Sequence, residues 1–268
     1  MRQFLVAVLT CAVVLIAPLG NRAAADTGST GGAYHNPNAP ALTPAELNVL
    51  AGKEAARLAG IASRSKGGVQ PMSAGYVYTG LWEEPQDQPD SAVWCGPGST
   101  TAVVSNFNTK PQDYPGGPTS YMTWLARTGV PGIGPMVVRP GGVPITYDTT
   151  LRDTVNNEIG QTFYFIKLGV GGTSNFASYL YADLSAYGHP VFSVVQANGL
   201  PGWIGFSAKH WQWTVSFDDG ADYISYGDSA GPNATSGGQD PHGFHGAVGF
   251  AAYYNHIADP SVWDEIVW

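Results

Sequence analysis

The sequence predicts an α+β protein in which helices come first and an antiparallel sheet follows. Three observations carry that expectation. Apolar residues recur at helical spacing in residues 43–60, 120–127, 147–159 and 173–187. Runs rich in β-formers follow at 190–196, 211–217 and 221–227. The last two are joined by Asp218-Asp219-Gly220, a hairpin turn signal. Helices before strands argue against a doubly wound parallel sheet.

The 268 residues are 44% hydrophobic and 12% aromatic, enough apolar surface for a core. With 35 Gly and 20 Pro, about a fifth of the chain, the composition stays below the roughly 25–30% of low-complexity chains. The net charge of −8 offers no basic stripe for phosphates, so nucleic acid is excluded as an expected partner. Residues 1–25 read as a secretory signal peptide. Arg2 gives a basic start, 4–16 run apolar, and Ala23-Ala24-Ala25 supply a small-residue cleavage site. The apolar run is too short for a spanning helix of about 20 residues, so no stable membrane insertion is expected. Removal of this segment leaves ten Lys and Arg against 20 Asp and Glu, and Cys95 as the remaining cysteine of two. The expected localisation is secreted, and two cysteines make no disulfide framework.

Residues 26–74 form a leader, a helix and a linker, readable as a removed pro-region, a spacer or a packed helix. Thr43, Pro44 and Glu46 form a capping box with proline at the first helical position. Leu47, Leu50, Ala51 and Leu58 would give that helix its apolar face up to Gly60, with linker from Ser63. Residues 75–268 read as one domain. There, Cys95-Gly96-Pro97 is a turn feeding a helix with Ala102, Val103 and Phe107 inward. Residues 162–168 are a further strand candidate, and Gly188 stops the helix at 173–187. A fourth strand or a short helix is expected at 247–254.

A cysteine at a helix start meets partial positive charge and unsatisfied N–H groups. These favour thiolate over thiol and can hold an oxyanion. His210 opens one strand of the hairpin and Asp228 closes the other, so both belong to one edge of the sheet. An imidazole oriented by a carboxylate is what a thiol nucleophile needs as its base.

The run from Gln88 through Cys95 to Gly98, QPDSAVWCGPG, resembles the Q-x(n)-C-G-P-A signature of papain-like cysteine peptidases. The nearest branch is the bacteriocin-processing (double-glycine) peptidases and their secreted stand-alone relatives. Gly188-His-Pro-Val, Lys209-His210-Trp-Gln-Trp-Thr-Val and Tyr223-Ile224-Ser-Tyr-Gly-Asp228 are similar to that family's later pattern, and the likeness covers about residues 75–230. It implies a papain-like fold, with a helical lobe carrying the cysteine and a twisted antiparallel sheet carrying His and Asp. It also implies Cys95 as nucleophile, His210 as general base, Asp228 as its orienter and Gln88 as an oxyanion donor. The activity implied is peptide-bond cleavage by a thiol protease, a hydrolase acting on a peptide or protein substrate. The chain departs from the family with Gly98 for Ala, Lys209 for Gly, Ser216-Phe217 for Gly-Tyr and Ser229 for Pro. Gln88 stands seven residues before Cys95, one more than usual, and Gln86 is the alternative donor.

Other groups are weighed beside these. Asp240, His242 and His245 lie in a Gly-rich loop, where ligand geometry is not set, so a solvated loop is expected and no metal or cofactor. His189 reads as a strand-boundary residue, and His35 and His256 sit in no motif. Glu83, Glu84, Asp87 and Asp90 read as a solvated loop or a negative rim for basic substrates. Trp203, Trp211, Trp213, Trp263 and Trp268 read mostly as packing; exposed ones would form a sugar platform. The alternatives to a peptidase are therefore a secreted binding module for cell wall or carbohydrate, without catalysis, and a cell-wall peptide amidase.

Overall fold

The computed structural model describes residues 32–66, 73–74, 94–201, 203, 208–229 and 244–268. The signal segment, the acidic residues 83–90, Gln86, Gln88, Asp240 and His242 lie outside them, as does the side chain of His245.

The chain starts with β1 (Gly32–Tyr34) and α1 (Pro44–Lys66). The capping box forms: the Thr43 N–H donates to Glu46 Oε2 at 2.7 Å, and the Glu46 N–H donates back to Thr43 Oγ1 at 3.3 Å. The rest of the helix corrects the reading. Leu47 and Leu58 are 51% and 54% exposed, while Lys53 and Gly60 are buried and Leu50 and Ile61 pack on the core. Gly60 does not stop the helix. A Cβ there would lie 2.6 Å from the Tyr181 ring, so this glycine serves close packing and the helix runs on to Lys66.

Lys53 explains why the polar side of the pattern turns inward. Its Nζ donates to Asp183 Oδ2 and to the Phe163 carbonyl, both at 3.1 Å, and lies 3.6 Å from the centre of the Phe163 ring. Burial lowers the Lys53 ammonium to about 8 against the pull of Asp183, and burial raises Asp183 to about 6 against the pull of Lys53. Of the segment read as leader, helix and linker, the helix packs into the core. Lys53→Met is expected to cost about 3–5 kcal/mol in urea unfolding at neutral pH, by stranding a buried carboxylate. Adding Asp183→Leu should recover most of that loss.

After β2 (Ser73–Ala74) come α2 (Cys95–Phe107), α3 (Lys110–Asp113) and α4 (Gly117–Arg127). Next are β3 (Ile145–Tyr147), α5 (Asp148–Ile159) and β4 (Ile166–Leu168). The strand expected at 162–168 is this short because Asn156 intercepts its backbone. The N–H groups of Phe163 and Tyr164 donate to Asn156 Oδ1 at 3.0 and 2.8 Å. Then α6 (Thr173–Leu180) widens into a π-helical segment (Tyr181–Tyr187), ended by Gly188 at φ 71° as expected.

The remaining strands are β5 (Val191–Gln196), β6 (Lys209–Asp218), β7 (Tyr223–Asp228) and β8 (Phe244–Val248). The chain closes with α7 (Phe250–Ile257) and β9 (Glu265–Val267). Residues 247–254 are therefore the end of a strand and then a helix. The hairpin forms, with Asp218 Oδ1 accepting the N–H groups of Gly220 and Ala221, both at 3.0 Å.

The fold is α+β, with an antiparallel sheet ordered β4-β9-β5-β6-β7-β8 and β2 paired to the far end of β6. Helices cover both faces. Phe176 and Leu180 of α6 and Tyr253 of α7 pack with Val191, Val195 and Ile224. Ala102 and Val103 of α2 and Leu151 of α5 pack with Val194, Trp211 and Trp213 on the other side. This two-sided packing buries β6 from His210 to Phe217. No helix among the described residues is long and apolar enough to cross a membrane.

Candidate active site

Cys95 is the first residue of α2, and it is fully buried. Residues 95–104 are all buried, and two of the glycines are there for space. A Cβ on Gly96 would meet the Thr146 side chain of β3 at 2.5 Å, and one on Gly98 would meet Ser229 Cβ at 2.5 Å. Two departures from the family pattern are therefore one feature: Gly98 and Ser229 occupy each other's space. Gly98→Ala is expected to destabilise by about 1–3 kcal/mol through overpacking, and Ser229→Gly in the same chain should relieve it. Paired thermal melts of the single and double variants check this.

His210 and Asp228 are also fully buried. His210 Nε2 lies 2.6 Å from Asp228 Oδ1, the orienting contact expected from the hairpin. The second carboxylate oxygen accepts the indole N–H of Trp203 at 2.8 Å and a side-chain N–H of Gln212 at 2.6 Å. The Trp203 ring also packs on the imidazole, centroid to centroid at 4.6 Å.

Burial disfavours a charged imidazole, but the Asp228 charge, its hydrogen bond and then Cys95 outweigh it and raise His210 to about 10. Nε2 is committed to Asp228. The hydrogen bond and the charge of Cys95 also favour the protonated imidazole, by less than those of Asp228. Such a site can take a thiol proton onto the imidazole and keep it there.

The structure thus brings together Cys95, His210 and Asp228. Gln88 and Gln86 cannot be added, being outside the described residues. Sequence reasoning missed Gln212 and Trp203. Gln212 had a signal: on a strand, residue i+2 shares the face of residue i, so Gln212 accompanies His210. The register Trp213↔Gly227, carried one step further, also sets Gln212 beside Asp228. Trp203 had none, since it reaches Asp228 from a connecting segment 25 residues earlier.

Among the competing assignments, His189 and the tryptophans resolve as packing. His189 sits 4.0 Å from the Phe107 ring and 4.7 Å from Phe163, and burial lowers it to about 4, which suits a neutral boundary residue. Trp203, Trp211, Trp213 and Trp268 are buried and Trp263 is 36% exposed, so these five make no sugar platform. Comparison with protein-family models, with curated proteins and with solved structures finds no match.

Proposed function

We propose that the chain is a cysteine-type hydrolase with a papain-like arrangement of helix and sheet. More specifically, we read it as a secreted peptidase acting on peptide or protein substrates. The observation that carries this reading is His210, held by Asp228 at one nitrogen and raised in proton affinity by both Asp228 and Cys95. In the reaction, His210 takes the Cys95 proton and the sulfur attacks the substrate carbonyl carbon. The oxyanion is held by the Cys95 backbone N–H and by Gln88 or Gln86. His210 returns the proton to the leaving amine as the C–N bond breaks. A water molecule, deprotonated by His210, then attacks the thioester and releases the acid.

A cell-wall peptide amidase would use the same steps on a different amide. The test is alkylation of Cys95 by iodoacetamide in the folded protein, followed by peptide hydrolysis. Rapid labelling at about pH 6, well below an ordinary thiol's range, supports the reading. A thiol that reacts only after denaturation overturns it in favour of a binding module, which peptidoglycan or chitin fragments would then reveal by tryptophan fluorescence.

A further inference from the structure

A second cluster of ionisable groups lies where β1 and β9, the first and last described strands, meet α5. Strand β1 runs parallel to β3 with Tyr34 opposite Tyr147, so the next residues, His35 and Asp148, emerge side by side. His35 Nδ1 and Asp148 Oδ2 are 2.6 Å apart. The other Asp148 oxygen accepts the N–H groups of Asn36 at 3.0 Å and Thr149 at 2.6 Å, which fixes the carboxylate. Glu265, at the head of β9, completes the group. One ligand atom from each of His35, Asp148 and Glu265 lies within 4.8 Å of the others.

Glu265 is the informative member. Its carboxylate is fully buried and accepts from no N–H or O–H donor among the described residues; what faces it is the Asp148 carboxylate. A buried carboxylate without such a donor, facing a second carboxylate, is costly, and a cation removes both costs together. Lys209 does not supply that cation. Its ammonium lies over the rings of Trp263 and Tyr34, 4.4 and 5.1 Å from their centres, and makes no ion pair with the cluster among the described residues.

We propose that His35, Asp148 and Glu265 bind one divalent transition-metal ion of the zinc class. Two carboxylates balance the charge of a divalent ion, and the imidazole supplies the third donor. An imidazole in the set selects against calcium and magnesium, which prefer oxygen donors throughout. Three protein donors are also the number found at zinc centres that keep one position for water. The His35 side chain is 22% exposed and gives the ion its way in, whereas Asp148 and Glu265 are closed off. Bound there, the ion ties β1 and β9 to the start of α5. The inference does not depend on the peptidase reading, because none of these residues belongs to the Cys95 site.

The test uses the chain with Cys95→Ser, so that the thiol cannot take the metal. Zinc binding is followed by titration calorimetry and by the melting temperature, and cobalt(II) binding by its visible spectrum. One equivalent of zinc is expected to bind and raise the melting temperature, with calcium and magnesium far weaker. His35→Ala and Glu265→Gln should each weaken zinc by at least about 100-fold, beyond the roughly 10–100-fold typical of losing an outer-shell partner. His35 is partly exposed, so its variant keeps the test valid even if the Glu265 variant folds poorly. Absence of stoichiometric zinc binding, or binding unchanged in His35→Ala, overturns the proposal. Calcium binding as strong as zinc overturns the metal class.

Discussion

His210→Ala is expected to slow alkylation of Cys95 at pH 6 by about 10–100-fold and to abolish most peptide hydrolysis. An ordinary thiol of pKa about 8.5 is only about 0.3% ionised at that pH, so full ionisation is worth about 300-fold. The lower basicity of a stabilised thiolate takes back part of that gain, which leaves the smaller net factor. Turnover should fall by about 10⁴-fold or more, as when one member of a coupled triad is removed. The shape of the pH profile is the sharper readout. With His210 raised to about 10, the ring keeps its proton from pH 6 to about 9, so labelling of wild type and of the alanine variant should differ in pH dependence across that window. Identical profiles would mean that His210 does not act on Cys95.

Asp228→Ala carries an expected stability effect as large as that of Lys53→Met. Among the described residues the carboxylate accepts hydrogen bonds from His210, Trp203 and Gln212, and all four residues are buried. Its removal strands a buried imidazole and two buried donors, at a cost of about 3–5 kcal/mol. For a domain of this size that is about 10 °C or more in melting temperature. Asp228→Asn keeps the shape and removes the charge, and so separates packing from electrostatics. Folded His210 holds its proton up to about 10, above the ordinary 6.5, so folding favours proton binding. That stabilisation is fully present below about pH 6.5 and is lost as pH rises through about 10. The asparagine variant should lose this slope between neutral and alkaline pH while losing less stability than alanine. Equal stability of wild type and Asp228→Asn across that window would show that the charge does not hold His210.

The features legible in the sequence are those that neighbouring residues decide. The Thr43–Glu46 cap, the Gly188 stop and the Asp218–Gly220 turn depend on backbone groups a few residues away, and all three form. The hairpin also made His210 and Asp228 legible as a pair, because one short turn fixes their relation. Apolar periodicity failed on α1, where it placed Leu47 and Leu58 inward. A charged residue, Lys53, took the buried face because Asp183 and the Phe163 carbonyl wait for it from distant segments. Periodicity ranks residues by transfer from water. It has no knowledge of a partner 130 residues away.

The same distinction divides the candidate sites. Cys95 at a helix start, with a later His and Asp, stands out along the chain, since each residue carries its own local motif. Three other things depend on which segments meet: the fit of Gly98 against Ser229, the Trp203 and Gln212 donors on Asp228, and the His35, Asp148 and Glu265 cluster. The last joins two strands of three residues each to the first turn of α5. Strands that short have no period to read, and β9 owes its position between β4 and β5 to backbone pairing and to the burial of Ile266 and Val267 in the two clusters. Long-range backbone pairing brought those ligands together, and nothing in the chain near His35 or Glu265 announces it.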